Sequence, residues 1–328
     1  MSQHTVELDP IRLEIIANGL RSIADECFVA LMRSSYSTNI KERKDHSIAI
    51  VDKAGRLVVQ AELTLPIHIA SMGGLMKCVL KKFGHDINEG DIFVANDPHT
   101  AGGTHLPDIN YAMPIFIEGE IVAFVCNIAH HADIGGMVPG SMAGGMSEIY
   151  QEGLRIPVVR LFKKGVLQQD IMDIMLLNVR VPEERQGDHN AQIASCRLGE
   201  RRFKEVVSIH GLPSVLTAFN EIISRTNQRM KDTIAQIPDG EYEFKDYMDS
   251  DGLSTFDILI CLKLTVKGER IHLDFAGTSP QVKGNINTTL NAVQASVNYA
   301  LIGALDSEMP SNQGVLDAVD ITCEPGTV

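Results

Sequence analysis

The spacing of apolar residues predicts a long amphipathic helix near the beginning of the chain. Apolar side chains recur at three- and four-residue intervals between Leu13 and Leu31, which places them on one face of a helix. The Asp9 side chain can accept hydrogen bonds from the free backbone N–H groups of the first turn, and Pro10 suits the first helical position. The same spacing predicts a second helix over residues 70–83, which Gly84 ends.

Alternating and β-branched runs predict strands in much of the remaining sequence. The predicted strands cover residues 47–52, 56–63, 91–97, 109–117, 120–131, 241–248, 256–266 and 270–275. Further helices are predicted over residues 190–207, 215–234 and 288–301. Because helices and hairpin-linked strands are segregated, without a strand–helix–strand rhythm, we predict an α+β fold with mixed, largely antiparallel sheets and packed helices.

Composition and charge narrow the class of protein. Hydrophobic residues make up 44% of the 328 residues and charged residues 22%, which is an ordinary globular balance. The net charge of −13 argues against nucleic acid as a partner. The six cysteines form no CxxC pair, no apolar run reaches the roughly 18 residues of a membrane span, and the first residues do not resemble a signal peptide. We therefore expect a cytoplasmic protein that is not bound to a membrane.

Potential metal ligands are concentrated between residues 96 and 133. His105 and Asp108 are separated by Leu-Pro, so an extended or turn conformation is expected to carry them. His130 continues the parity of the apolar residues that share one face of the preceding strand, and His131 then lies on the other face. Those apolar residues are Val122, Phe124, Cys126 and Ile128.

Two imidazoles and one carboxylate would make an open metal site. Histidines at strand ends are also common as hydrogen-bonded core or surface residues, so spacing alone leaves both interpretations open. The glycine pairs 102–103 and 135–136 favour the metal site slightly, because glycine allows a close approach of backbone to an ion or ligand. A long loop rich in Gly, Met and Ser, residues 133–146, is expected to be functional.

Several other catalytic motifs are missing from the sequence. There is no GxxxxGK[ST] phosphate loop, no GxGxxG and no GxSxG. Cys126 lies in an apolar run, so we interpret it as a packing residue rather than a nucleophile. If the function uses ATP, the sequence offers no recognisable place for it.

Blocks of sequence along the whole chain resemble the hydantoinase B family. The most specific are NDPHTAGGTHLPD, AHHADIGG and EIYQEGLRIP; others are KERKDHSIAIVD, LPIHIASMGG, RQGDHNAQIAS, DFAGTSP and GNINTTLNAVQASVNYAL. The resemblance covers residues 1–328 as one region, with the metal-site portion at about 90–160 and a C-terminal α+β portion at about 238–328. Members of the family usually continue well beyond the segment that matches CEPGTV. We therefore expect the C-terminal portion to be incomplete, with exposed apolar surface there.

The resemblance implies a subunit of a hetero-oligomeric enzyme. Its partner would be a hydantoinase A-type chain that binds ATP and phosphorylates the substrate. A divalent metal, manganese or zinc and possibly iron, would be held by His105, Asp108 and His130. Further candidates beside the metal, which could orient its ligands, are Asp97, His99, His131 and Asp133. Glu42, Asp45 and His68 lie in family-like blocks, and no role is assigned to them.

The function that this resemblance favours is ATP-dependent ring opening of a cyclic amide such as a hydantoin, 5-oxoproline or a lactam. An ATP-dependent ketone carboxylase of the acetone or acetophenone type is the alternative, and bicarbonate dependence would distinguish it. A third interpretation is a non-catalytic scaffold subunit with a structural metal, for which four protein ligands are expected. Two histidines and one carboxylate alone would also suit a non-haem iron oxygenase, which would consume O2.

Overall fold

The computed structural model describes residues 7–328 and contains eight helices and eleven strands in that part of the chain. The helices are α1 Pro10–Ser34, α2 Thr38–Lys41, α3 Pro66–Phe83, α4 Gln169–Leu177, α5 Pro182–His210, α6 Leu212–Ile234, α7 Leu290–Leu305 and α8 Gln313–Leu316. The strands are β1 His46–Asp52, β2 Leu57–Gln60, β3 Ile92–Ala95, β4 Asp108–Ile117, β5 Glu120–His130, β6 Val159–Lys163, β7 Val166–Leu167, β8 Gly240–Ser250, β9 Phe256–Lys267, β10 Arg270–Asp274 and β11 Val319–Thr322.

Seven strands form an antiparallel sheet in the order β2-β1-β5-β4-β3-β6-β7. Side chains alternate between its two faces. One face packs on α1, α4, α5 and α6, and we call it the α5 face. The other packs on α3, and we call it the α3 face. Because both faces are covered, the central strands are buried along nearly their whole length.

Four strands form a second sheet in the order β11-β10-β9-β8, packed against α7, α8 and the end of α6. The pairs β8–β9 and β9–β10 are antiparallel, and β10–β11 is parallel. The predicted α+β class with mixed, largely antiparallel sheets is therefore confirmed. The parallel pair β10–β11 is a local exception to the expected lack of a strand–helix–strand rhythm, because α7 and α8 connect its two strands along the chain.

The C-terminal sheet and α7 enclose a cavity with largely apolar walls. An open cavity of about 660 Å³ lies between α7 and strands β8 to β10, with walls that include Leu262, Leu273 and Val297.

Within residues 7–328, no single helix is long and apolar enough to cross a membrane. Helices α5 and α6 reach that length and apolarity only as a pair, and they meet at a bend of 108°.

Most predicted elements are present, with different boundaries. Asp9 accepts hydrogen bonds from the backbone N–H groups of Ile11 and Arg12 at 3.0 Å, as predicted for the cap of α1. Helix α3 begins four residues earlier than predicted and α5 eight residues earlier, each with proline in the first turn. Helix α4 was not predicted.

The parity of strand β5 is interrupted at its beginning, and here the prediction was wrong. Phe124, Cys126 and Ile128 pack on the α3 face as predicted, but Val122 packs with Ala123 on the α5 face. The register explains the change, since Ile115 pairs with Ala123 while Phe116 pairs with Ile121, which leaves Val122 as an extra, bulged residue.

Candidate metal centre

The sheet brings two of the three predicted ligands side by side. Asp108 is the first residue of β4 and His130 the last residue of β5, and the two are paired in the antiparallel register. Both side chains lie on the α3 face, as the parity of β5 predicted for His130. His105 lies in the turn before β4, where its carbonyl accepts a hydrogen bond from the backbone N–H of Asp108 at 3.2 Å.

One carboxylate oxygen lies at the centre of this cluster. His105 Nε2 is 3.0 Å and His130 Nδ1 is 3.3 Å from Asp108 Oδ1. One donor atom from each of the three residues lies within 4.8 Å of the others. Residues from a turn and two strand ends are therefore gathered at one point, as a metal site requires.

The hydrogen bonds of Asp108 test whether this cluster suits a cation. Its Oδ2 accepts a hydrogen bond from Thr104 Oγ1 at 2.7 Å. Its Oδ1 is buried and has no hydrogen-bond partner in the range 7–328, although His105 Nε2 and His130 Nδ1 lie 3.0 and 3.3 Å away. A buried carboxylate oxygen without a donor is costly, and a divalent cation would satisfy it. Imidazole and carboxylate donors suit manganese, zinc or iron.

Two residues to which the sequence assigned no role also reach this cluster. His68, from the first turn of α3, places Nε2 at 3.6 Å from Asp108 Oδ2 and at 3.6 Å from Asp45 Oδ1. Asp45 precedes β1, and its Oδ2 is 3.8 Å from His130 Nδ1. Ser47 Oγ is hydrogen-bonded to His68 Nδ1 at 2.8 Å, which fixes the ring. By contrast, Glu42 is exposed next to α2.

The charges of the cluster perturb its ionisation. Burial raises the pKa of Asp108, but His105 and His68 outweigh burial and hold that pKa well below its ordinary value. Burial lowers the pKa of His105, yet the carboxylate of Asp108 produces a net rise. Burial also lowers the pKa of His68, more than Asp108 and Asp45 raise it. The cluster is thus arranged around one persistent negative charge.

Asp97 and Asp133 organise the loops beside the cluster rather than its ligands. Asp97 Oδ1 accepts hydrogen bonds from the backbone N–H groups of His99 and Thr100, and Oδ2 accepts one from Arg155 Nε at 2.6 Å. The bond to its backbone N–H holds His99, which is exposed, in the wall of a cavity of about 700 Å³ beside the cluster. Burial raises the pKa of Asp97, but the bond from Arg155 and those from Thr100 lower it overall.

Asp133 has a similar role in the long glycine-rich loop. Its two oxygens accept hydrogen bonds from the backbone N–H groups of Gly135, Gly140 and Arg180. The guanidinium of Arg180 adds a further bond at 2.9 Å. Burial raises the pKa of Asp133, and these donors lower it overall. Asp97 and Asp133 therefore hold loops and arginines beside the cluster and do not hydrogen-bond to His105, Asp108 or His130.

His131 lies on the α5 face, away from the cluster. Its Nε2 donates a hydrogen bond to Gln192 Oε1 of α5 at 2.8 Å, and its ring packs against that of His189 at a centroid distance of 4.4 Å. Gln192 Nε2 donates to Ile109 O and to Asn127 Oδ1. His131 thus belongs to a closed hydrogen-bonded network.

The glycine pairs approach backbone rather than a ligand, which corrects the sequence interpretation. A Cβ on Gly102 would lie 2.3 Å from the backbone of Gly74 in α3, and one on Gly136 would lie 2.6 Å from the backbone of Glu152. Both glycines have positive φ. Because these two glycines have no side chain, their loops can lie directly against neighbouring backbone, at Gly102 against helix α3.

Two cavities open next to the cluster. One, of about 700 Å³, reaches from His99 and Thr104 to the loop around Lys283. The other, of about 330 Å³, lies under residues 141–144 of the glycine-rich loop. His105, Glu152 and Asn285 line both cavities. Asn285 Nδ2 donates to Ala143 O at 3.0 Å, so the C-terminal portion closes one side of this space.

Sequence reasoning missed Asp45, His68 and Glu152 as residues of this region. Asp45 could have been found only through the pairing of β1 with β5, in which Ala129 pairs with His46. His68 carried a weaker signal, as a buried polar residue on the apolar face of α3. Glu152 lies in the EIYQEGLRIP block, but no spacing rule connects it to His105.

Comparison with known proteins identifies relatives of the chain. The family profile for hydantoinase B/oxoprolinase matches residues 9–328. The chain is 36% identical over 325 residues to an uncharacterized protein of Methanocaldococcus jannaschii. The aligned region covers 98% of this chain and 56% of the relative. It is 32% identical to the B subunit of a putative D-/L-hydantoinase from a Pseudomonas species, over 98% of this chain and 57% of the relative.

A solved structure also matches nearly the whole chain. The ATP-dependent caprolactamase of Pseudomonas jessenii matches with a TM-score of 0.91 and 31% identity, over 98% of this chain and 55% of the matched chain. The chain thus spans a little over half the length of these relatives. The profile match across nearly the whole chain establishes that it belongs to the hydantoinase B/oxoprolinase family.

Proposed function

We propose that this chain is the metal-bearing subunit of an ATP-dependent cyclic amide hydrolase, which acts with a hydantoinase A-type ATP-binding partner. The observation that carries the proposal is the buried oxygen of Asp108, which lies between His105 and His130 without a hydrogen-bond donor in the described chain. Adjacent cavities of about 330 and 700 Å³ provide room for a small cyclic substrate.

The proposed ligands are His105 Nε2, Asp108 Oδ1 and His130 Nδ1. A divalent metal, manganese or zinc and possibly iron, would polarise a carbonyl oxygen or lower the pKa of water there. Thr104 fixes the orientation of the Asp108 carboxylate through its hydrogen bond to Oδ2. The glycine-rich loop and the loop around Asn285 limit the access of solvent to the substrate.

The role of ATP is proposed for a partner chain. The sequence has no Walker-type phosphate loop. One matched relative is named as the B subunit of a hydantoinase, and another is an ATP-dependent caprolactamase. Phosphorylation of the amide oxygen would make the carbonyl carbon a better electrophile. This explains how an unstrained ring, such as that of a hydantoin, 5-oxoproline or lactam, could be opened by water.

Metal content and ring opening, measured together, test the proposal. The wild-type chain should contain near-stoichiometric metal by elemental analysis, and His105→Ala should lose it. His85→Ala, which removes an exposed histidine outside the cluster, is the matched control and should retain it. A well-folded wild-type chain that binds no manganese, zinc or iron would overturn the proposal.

The reaction is tested by combining the chain with its ATP-binding partner and assaying hydantoin, 5-oxoproline and caprolactam with ATP. We expect ring opening that requires both chains and ATP but not bicarbonate. Turnover of acetone or acetophenone that requires bicarbonate would instead identify a ketone carboxylase. Metal without turnover of any of these compounds would favour the scaffold subunit.

A further inference from the structure

Glu152 has an unusual environment for a carboxylate. It is half-buried, and within residues 7–328 its side chain makes neither a hydrogen bond nor an ion pair. It lines both cavities beside His105. Glu148, the other acidic residue of these walls, is exposed and lines only the larger cavity. Among the described residues, Glu152 is therefore the acidic residue that lines both cavities.

The backbone on both sides of Glu152 is held in place by the glycine-rich loop. The N–H of Met137 donates to Gln151 O at 2.7 Å, and the N–H of Leu154 donates to Ile134 O at 2.9 Å. Between these bonds, Gly136 lies so close that a Cβ would be 2.6 Å from the backbone of Glu152. The position from which the carboxylate extends is thus fixed, although the side chain itself has no partner.

The Glu152 carboxylate is accessible from the two cavities, since its oxygens are not among the buried atoms without a partner. Burial raises the pKa of Glu152, and the nearby His105 and His99 lower it only in part. A raised carboxyl pKa in a cavity is typical of groups that exchange protons during a reaction. The surroundings therefore fit a proton acceptor that later becomes a donor.

We propose that Glu152 is a catalytic residue that transfers a proton from the attacking water to the departing ring nitrogen. This inference rests on the proposed function. As the oxygen of water bonds to the carbon of the O-phosphorylated amide, the π electron pair of the carbon–nitrogen double bond moves onto nitrogen, and one proton passes from that water to the Glu152 carboxylate. When the remaining carbon–nitrogen bond breaks, its electron pair stays on nitrogen, which takes the proton from Glu152. The new hydroxyl group releases its proton to solvent, which leaves an acyl phosphate that a second water hydrolyses to carboxylate and phosphate. The Glu152 carboxylate is thereby restored for the next turnover.

Replacement of the carboxyl group by an amide tests this role. Glu152→Gln keeps the shape and removes proton transfer, so kcat for caprolactam opening with the ATP-binding partner should fall about 100-fold or more, while metal content stays at the wild-type value. Glu152→Asp should retain part of the lost rate. Glu120→Gln, at the exposed beginning of β5 and at the far end of the strand from His130, is the control and should match wild type.

The basicity of the departing nitrogen gives a second readout, which a merely structural role would not change. The nitrogen released from hydantoin belongs to a urea and is less basic than the amine released from caprolactam, so it depends less on a proton donor. The Glu152→Gln loss should therefore be smaller for hydantoin. A Glu152→Gln rate within about threefold of wild type, or a loss that parallels loss of metal, would overturn the inference. A wild-type enzyme that opens neither of these rings nor 5-oxoproline would overturn the proposed function, and this inference with it.

Discussion

His130 and His131 are neighbours in the chain but lie on opposite faces of the seven-stranded sheet. On the α3 face, His130 points toward the buried carboxylate of Asp108, where one oxygen has no hydrogen-bond donor in the described chain. On the α5 face, His131 donates to Gln192, whose amide is itself bonded to Ile109 and Asn127. The first cluster is incomplete without a ligand, and the second is closed by protein groups.

This difference shows that residue type does not distinguish a functional histidine from a structural one. Both side chains are buried, and both lie within a few residues of other polar groups. What differs is whether the donors and acceptors around each ring are satisfied by the protein. A site is indicated where the protein leaves a buried acceptor free and a cavity lies beside it.

The largest expected effect comes from exchanging each histidine for alanine. His130→Ala should weaken metal binding by at least about 100-fold, because it removes a proposed ligand, with little change in the unfolding free energy of the metal-free protein. His131→Ala should keep the metal but lower that free energy by about 2–4 kcal/mol, because it leaves a cavity and an unpaired Gln192. Elemental analysis measures the metal content, and denaturant unfolding in the presence of a chelator measures the unfolding free energy. If both variants lost metal equally, the distinction between His130 and His131 would be wrong.

A second, smaller effect is expected from acid. His46, on the α5 face, hydrogen-bonds Phe28 O at 3.1 Å, and burial lowers its pKa from 6.5 to about 4. Between those values the unfolded chain binds the additional proton, so this contribution to stability is present above pH 6.5 and is lost as the pH falls toward 4. The slope is at most about 1.4 kcal/mol per pH unit.

The measurement is the unfolding free energy of the metal-free protein between pH 7 and pH 4, compared with that of His46→Gln. Glutamine has no titrating group, so its profile should be shallower over this window. Identical slopes in the two proteins would show that His46 does not contribute to the acid sensitivity of the α5 face.

The smallest effect is expected at Cys126, which shares the α3 face with His130. The thiol is fully buried among apolar side chains, and burial raises its pKa, which suits packing rather than nucleophilic attack. Cys126→Ala should lower the unfolding free energy by about 1 kcal/mol and leave ring opening by the assembled enzyme unchanged. Loss of turnover in a variant that keeps its metal would show that the thiol takes part in the reaction.

Local patterns in the sequence predicted the regular elements well, because each depends on neighbouring residues. The cap at Asp9, the hairpin of β1 and β2 and the long helices α5 and α6 follow from side-chain periodicity and turn residues. The errors occur where tertiary packing intervenes. Val122 changes face because the pairing of β4 with β5 accommodates an extra residue there, and α4 is too short to give a strong periodic signal.

The sequence by itself determined the class of the fold, the family and the faces on which His130 and His131 lie, because strand parity and motif blocks are local properties. Only the tertiary structure decided that Asp45 and His68 reach the cluster around Asp108, and that Glu152 faces the same space as His105. These residues come from a loop, a helix and a turn that are far apart in the chain. Their meeting depends on the order of strands in the sheet and on the close approach of the glycine-rich loop, which no spacing along the sequence records.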